Sequence, residues 1–434
     1  MRKFFCLLGM VSLCFSLYAN GNQEASGPTS SEKPEEITYV TTGAGQWEEK
    51  LNPIIAKYEQ THNVKIKLEC YQQEQLFQNL EVKLGSKSSE YDVLGVDVPM
   101  VAGYVERGYL EPMDAYFTAE EKQGFIPSAV EAGTWEGKFY CPPMNSSSQL
   151  LWYNTEYVKQ AGVEIPPNDV THRLSWAQVV DMAQKVQKAV DPDGSKGIAG
   201  LMFEQVGRIY QILALPNSLG APSIGTDGVT VEGIIDSPEW IKALEFYKST
   251  FDSGVSLRGI SADEVGNNFR SGKVCFLIGG TWNEASAALV GFKSLAYCPC
   301  PAFKGYEDKV ATPTGSWHFG VSSFSKHKKA AAEFVKYMSL GEGNTLWLVA
   351  NGDIPSTQKG IKAINDNQDS PNYLKIAAYE AGHTAVPRPV TPGYSEYETV
   401  INAMLEDIRN GAEVKPAVAS AIKQLNTALY KYKK

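Results

Sequence analysis

The stretch ITYVTTGAGQWEEKLNPIIAKYEQTHNVKIKLECYQQEQLFQNLEVKLGSKSSEYDVLGVD, residues 37–97, decides the fold. Ile37-Thr38-Tyr39-Val40 has the β-branched and aromatic content of a strand and runs into the turn formers Thr42-Gly43-Ala44-Gly45. Trp47, Leu51, Ile54 and Tyr58 then recur at helical spacing; Pro53 lies inside the pattern, so the helix starts near it or bends there. Val64, Ile66, Leu68 and Cys70 alternate as a half-buried strand, and residues 76–84 return to helical spacing. Tyr91-Asp92-Val93-Leu94-Gly95-Val96 then suits a central parallel strand. Strand, helix, strand, helix, strand in one run predicts βαβ units and a mostly parallel sheet. Such sheets bind ligands in the crevice beyond the carboxyl ends of their strands. That singles out residues 43–47 after the first strand and Asp97 after the third.

Outward from this stretch, the chain of 434 residues exceeds what one core usually holds, so two lobes are expected. Its last third is mainly helical. Val400, Ile401, Met404, Leu405 and Ile408 form one stripe; Val418, Ile422, Leu425 and Leu429 form another, with Pro416 in the first turn. At the other end, basic Arg2-Lys3, an apolar run to Tyr18 and small Ala19 have the order of a secretory signal peptide, predicted over residues 1–19. A buried N-terminal helix is the plain alternative. Cys14 loosely resembles a lipidation site, but Leu13 is larger than the residue such a site requires, and cutting after Ala19 fits better. Residues 20–35, rich in Ser, Gly, Pro and Glu, read as a flexible linker.

The formal charge of −9 becomes about −11 once Arg2 and Lys3 leave with the signal segment. That balance, without clustered Lys and Arg, excludes a nucleic-acid surface. Beyond that segment remain Cys70, Cys141, Cys275, Cys298 and Cys300, an odd set that cannot all pair. Cys298-Pro299-Cys300 lacks the spacer of a redox or zinc pair and reads as buried strand residues. Catalytic signatures fail in turn. Gly43-Ala44-Gly45 has Glu48 where a dinucleotide loop needs its third glycine, and Gly266 to Lys273 is one residue too long for a phosphate loop. Neither a nucleophile elbow nor a zincin pair occurs, and the five histidines are scattered. Asp191-Pro192-Asp193-Gly194 reads as a turn, lacking the glutamate of a calcium loop. A carboxylate pair for glycoside hydrolysis stays conceivable among 49 acids, but nothing marks one out.

Several short motifs in register carry a resemblance. Val96-Asp97 leads to Gly108-Tyr109-Leu110-Glu111-Pro112-Met113-Asp114, and Gly137-Lys138-Phe139-Tyr140 with Pro143 leads to Leu151-Trp152-Tyr153-Asn154. Ser175-Trp176 opens a helix, and Phe269-Arg270-Ser271-Gly272-Lys273-Val274 leads to Gly280-Thr281-Trp282. Gly315-Ser316-Trp317 and Gly352-Asp353-Ile354-Pro355 complete the series. Together they resemble the bacterial extracellular solute-binding proteins that serve carbohydrate ABC importers, a family similar to maltose-binding protein.

The resemblance implies an α/β, two-lobed fold of the type II periplasmic kind, each lobe a mostly parallel sheet flanked by helices. It implies an N-terminal lobe of residues 36–145 and 301–345 and a C-terminal lobe of 146–300 and 346–434. The chain would cross near 145–150, return near 298–301 and cross again near 345–350. It further implies a periplasmic, monomeric, non-enzymatic protein without cofactor or metal, taking a mono- or oligosaccharide and handing it to permease subunits in the inner membrane. The same fold binding a polyamine, a phosphodiester or a metal chelate is the near rival. A sensor subunit presenting ligand to a chemoreceptor and a secreted glycoside-active enzyme are the others.

A sugar site needs aromatic platforms and polar groups for hydroxyls. Trp282, beyond the apolar run 274–278, and Trp317, after a glycine-containing loop, are the platform candidates. Asp97, Gln46, Glu204, Gln205, Arg388 with Tyr394, and Asn145 at the first crossing are the polar candidates; a helix N-cap is the plain alternative for Asp97. Trp47, at helical spacing with Leu51, is expected in the core.

Overall fold

The computed structural model describes residues 33–433. The expected signal segment 1–19, Cys14 within it, and residues 20–32 of the expected linker lie outside the described residues. Three strands, β1 (Glu35–Thr42), β2 (Val64–Tyr71) and β3 (Val93–Asp97), are joined by helices Trp47–Glu59 and Gln73–Gly85. β1 takes in Glu35 and so starts inside the expected linker. The first helix runs through Pro53 rather than starting at it. Parallel pairing runs from Glu35↔Val64 to Thr42↔Tyr71 and through Tyr39↔Val93, so the βαβ reading holds.

The second lobe contains β4 (Gln149–Asn154), β5 (Ala199–Phe203), β6 (Val274–Gly280) and β7 (Leu295–Pro299). The chain then returns as β8 (Trp317–Val321) to the first sheet, whose order is β8-β3-β1-β2. The second sheet has order β5-β6-β4-β7. It corrects the expectation of a mostly parallel sheet in each lobe: β5 and β6 are parallel, but β4 is antiparallel to both β6 and β7. The cause is where each entering strand inserts. β4 arrives from the other lobe and must run against both its neighbours, as β8 does against β3. β8 sits at the edge of its sheet and reverses one pairing, whereas β4 lies inside its sheet and reverses two.

Each sheet has its own core. In the first lobe Ile37, Tyr39, Val93, Phe319, Phe334 and Trp347 are buried together. In the second, Trp152, Trp176, Trp240, Phe203 and Phe276 lead a larger cluster, which helices Tyr394–Arg409 and Val414–Ala428 cover with Ile401, Leu405, Val418 and Leu425. Ser175 opens helix Trp176–Val190, as its motif predicts, and the structure adds a capping box shared with Gln178. Cys298 and Cys300 are buried, and the five described cysteines are free thiols. Asp191 closes its turn by accepting the amides of Lys196 and Ile198.

The crossings fall later than expected. After β7 the Ala302 amide donates to the Leu174 carbonyl, and Phe303 and Val310 stay in the second core, so the return comes over residues 312–316 rather than at 298–301. There Thr312–Pro313 pairs with Ala385–Val386. The third crossing likewise lies beyond 345–350, because Trp347 anchors helix Glu342–Asn351 in the first core. Gly352, at φ 72°, ends that helix in the left-handed conformation a glycine adopts without strain. Ile354 then bridges Ser146 of the first crossing.

Candidate functional site

The first lobe presents an aromatic row. Trp317, opposite Asp97 in the β8–β3 register, lies 6.4 Å from the stacked ring of Phe77 and 6.0 Å edge-on from Trp47. Gly43 permits this, since a Cβ there would come within 2.2 Å of the Trp47 indole. Trp47 is half-buried in this row rather than a core residue, a correction to its helical-spacing reading. The second lobe presents Trp282 and Tyr210, rings 6.3 Å apart. The Trp282 indole covers Gly280, where a Cβ would approach to 2.0 Å.

Glu204 holds that indole in place. Its Oε1 accepts the Trp282 Nε1–H at 2.7 Å, and its Oε2 accepts the Gly280 amide and the Asn283 amide group, each at 3.0 Å. Burial pushes the Glu204 carboxyl up, and these three bonds act in the opposite direction.

Between the lobes, Arg388 pairs with Asp97: Nη2 donates to Oδ1, and Nη1 lies 3.4 Å from Oδ2. Asp97 starts a short 3-10 turn, but its side chain makes no capping bond there and serves the arginine instead. The two side chains are 13% and 9% exposed, so the pair is almost dry. The guanidinium also lies 4.8 Å from the Tyr210 ring centroid and 6.0 Å from that of Tyr394. Tyr210 shares a hydrogen bond with Ser147 Oγ at 3.1 Å, and Tyr394 donates to Glu398 at 3.1 Å.

The structure thus brings Asp97, Arg388, Tyr394, Trp282 and Glu204 into one connected cluster. Trp317 stands in the first-lobe row. Asn145 is at the crossing, but its Nδ2 donates to Asp353 and its Oδ1 accepts the Trp317 amide. Gln46 is exposed, Gln205 is half-buried beside Glu204, and their side chains stay outside the hydrogen-bonded network. Sequence reasoning missed Tyr210, Ser147 and Phe77. Tyr210 had a usable signal: it follows the carboxyl end of β5 within a few residues, where ligand-facing loops start. A groove of about 1870 Å³ opens beside this cluster between residues 122–137 and 217–230, with Arg388 shared by both.

His318, next to Trp317 on β8, is fully buried and its Nδ1 contacts the Cys141 carbonyl at 2.9 Å. Burial pushes its pKa down to about 3; the nearby Arg388 charge adds to this, while the carbonyl contact opposes it. The unfolded chain binds this proton below about pH 6.5 and the folded one does not, so stability falls with pH below that point, by about 1.4 kcal/mol per unit. Glu204 and Asp353 are shifted up by desolvation and slope the other way, so the readout is the difference from His318→Gln. Melting temperatures at pH 7.5 and 5 should converge between variant and wild type as pH falls. Parallel curves would refute this.

Two α/β lobes, three crossing segments and an aromatic, ion-paired cluster where strand ends meet define a two-lobed binding protein. The family described as bacterial extracellular solute-binding protein matches residues 44–345. The chain belongs to that family, whose description places it outside the cytoplasm. Over 449 aligned residues it is 23% identical to a "Probable ABC transporter-binding protein" of Deinococcus radiodurans, covering 100% of this chain and 99% of the relative. It is 25% identical to a mannitol-binding protein of Pseudomonas aeruginosa, over 64% of this chain and 63% of that one. The fold is shared with the GacH receptor of Streptomyces glaucescens, solved unliganded and with acarbose: TM-score 0.76, 23% identity, 93% of this chain and 100% of that one.

Proposed function

We propose that this chain captures a neutral sugar or polyol between its lobes and hands it to the permease of an ABC importer, without chemistry, as a periplasmic monomer. The observation that carries this reading is the pairing of aromatic faces with neutralised charge. Trp317, Trp47 and Phe77 on one side and Trp282 and Tyr210 on the other offer apolar surfaces to sugar C–H faces. The charged groups that meet there are already engaged: Asp97 pairs with Arg388, Glu204 accepts from Trp282, Gly280 and Asn283, and Glu398 accepts from Tyr394. A polyamine needs converging free carboxylates and a phosphodiester a free cation, and neither fits this cluster. The mannitol-binding relative and the acarbose-holding neighbour support a sugar or polyol.

The Asp97–Arg388 pair then belongs to the closed form. Opening about the crossings hydrates both groups, and ligand shifts the population toward closure.

The test is thermal unfolding against maltose, maltotriose, mannitol, spermidine and a glycerophosphodiester. A ligand at 100 times its dissociation constant adds roughly 2.7 kcal/mol. A shift with a sugar or mannitol, recovered unchanged by chromatography, is the expected result. A response to spermidine alone would overturn the carbohydrate reading. With the responding sugar, Trp282→Ala should weaken binding by about 2 kcal/mol, roughly thirtyfold in titration calorimetry. Undiminished affinity would move the second wall elsewhere.

A further inference from the structure

Asp353 opens the third crossing, half-buried and without an ion pair among the described residues. One of its oxygens, Oδ2, accepts three hydrogen bonds: from Asn145 Nδ2 at 2.6 Å, Asn351 Nδ2 at 2.9 Å and Trp347 Nε1 at 3.0 Å. Trp347 meets Trp47 with ring centroids 4.8 Å apart, and Trp47 meets Trp317 at 6.0 Å. At the far end of that row the Trp317 amide donates to Asn145 Oδ1 at 2.9 Å. Both ends of the row Trp347–Trp47–Trp317 are therefore fastened to one carboxylate, directly through an indole and indirectly through Asn145. The next residue, Ile354, accepts the Ser146 amide at 2.7 Å, which ties the first and third crossings at the same point.

We infer that Asp353 is a positioning residue for the cleft, registering the first-lobe tryptophan row against the crossing segments. This rests on the sugar-binding reading of that row. Drawing an unpaired carboxylate even partly out of water is costly, and an apolar side chain would fill the space without that cost. What the carboxylate supplies is convergence: one donor from the first crossing and two from helix Glu342–Asn351 meet at one atom of the third crossing. An asparagine oxygen can still accept these bonds, whereas a leucine accepts none.

The experiment uses the full chain with Asp353→Asn, Asp353→Leu and Asn145→Ala. Close indoles couple, so near-UV circular dichroism reads the row without any ligand; Trp47→Phe and Trp317→Phe assign its bands. Asp353→Asn should keep those bands and Asp353→Leu lose them, with the far-UV spectrum unchanged in both. Maltotriose titration should then show affinity near wild type for Asp353→Asn and weaker by about tenfold or more for Asp353→Leu, since small misplacements of contact groups cost this much. Wild-type near-UV bands and wild-type affinity in a folded Asp353→Leu would overturn the inference. Should that variant fail to fold, Asn145→Ala cuts only the arm to Trp317 and should lose part of the bands; an unchanged spectrum there would overturn it equally. If the bands behave as stated but wild type ignores maltotriose and mannitol, the positioning role is supported and the sugar reading alone falls.

Discussion

Asp97→Ala should weaken ligand affinity by about a hundredfold or more while moving the melting temperature of the unliganded protein little. Removing one member of a buried ion pair strands the other, at about 3–5 kcal/mol, and that range converts to factors of roughly 10² to 10³ or more in affinity. Here the stranded group is Arg388, 9% exposed between the rings of Tyr210 and Tyr394. The pair spans the cleft, so the protein has an escape: opening returns the guanidinium to water. The penalty therefore falls on the closed form, and it appears in binding rather than in unfolding. Titration calorimetry with the sugar that stabilises wild type reads the loss, and small-angle scattering of the unliganded variant should show a larger radius. Asp97→Ala with Arg388→Met removes both charges and should recover much of the affinity, because a dry apolar pair carries no desolvation cost. Unchanged affinity in Asp97→Ala would place the ligand away from this cluster.

The first sheet was legible because its signals are local. Val64, Ile66 and Leu68 alternate, and Val93 to Val96 is apolar enough for a strand buried on both faces. The second sheet was not. Its order depends on a crossing strand inserting between β6 and β7, a pairing made across more than a hundred residues that no local pattern encodes. The crossings were misplaced for a related reason. Pro299 and Pro301 end a ladder, but whether the chain then leaves the lobe depends on Ala302 finding the Leu174 carbonyl.

Candidate residues divide along the same line. Glycines before an indole are a local signal, and Trp282 and Trp317 were singled out that way. Glu204 and Asn145 look like ligand-binding polar groups in the sequence because any buried polar residue at a strand end needs partners. Only the structure shows those partners to be Trp282, Gly280 and Asn283 for one, and Asp353 and Trp317 for the other. Tyr210 was hidden inside Ile209-Tyr210-Gln211-Ile212, which reads as core and is in fact buried. Its place in the cluster comes from Arg388, distant in sequence, lying over its ring.

Glu380→Ala should have the opposite signature to Asp97→Ala: a large loss of stability with affinity largely kept. Glu380 is fully buried on helix Asn372–His383 and accepts both terminal nitrogens of Arg173, at 2.5 and 3.0 Å. It also accepts the Cys300 amide at 3.3 Å and the Thr384 hydroxyl at 2.7 Å. Arg173 in turn donates to the Cys300 carbonyl at 3.1 Å. The pair thus joins the helix to the end of β7 and to the segment before helix Trp176–Val190, on the side where Ile376 enters the second core; Ala377, Ala378 and Ala381 face Ile126 and Ala129 instead. Opening the cleft does not hydrate it, so the stranded arginine has no exit short of unfolding. The cost of about 3–5 kcal/mol then falls on global stability. At roughly 2–4 °C per kcal/mol for a unit of this size, melting should drop by about 10 °C. Glu380→Gln, which keeps an acceptor and loses the charge, should fall between. A Glu380→Ala protein that melts like wild type but binds weakly would mean that helix Asn372–His383 moves during closure. The hinge would then include it, and the rigid second lobe would end before residue 372.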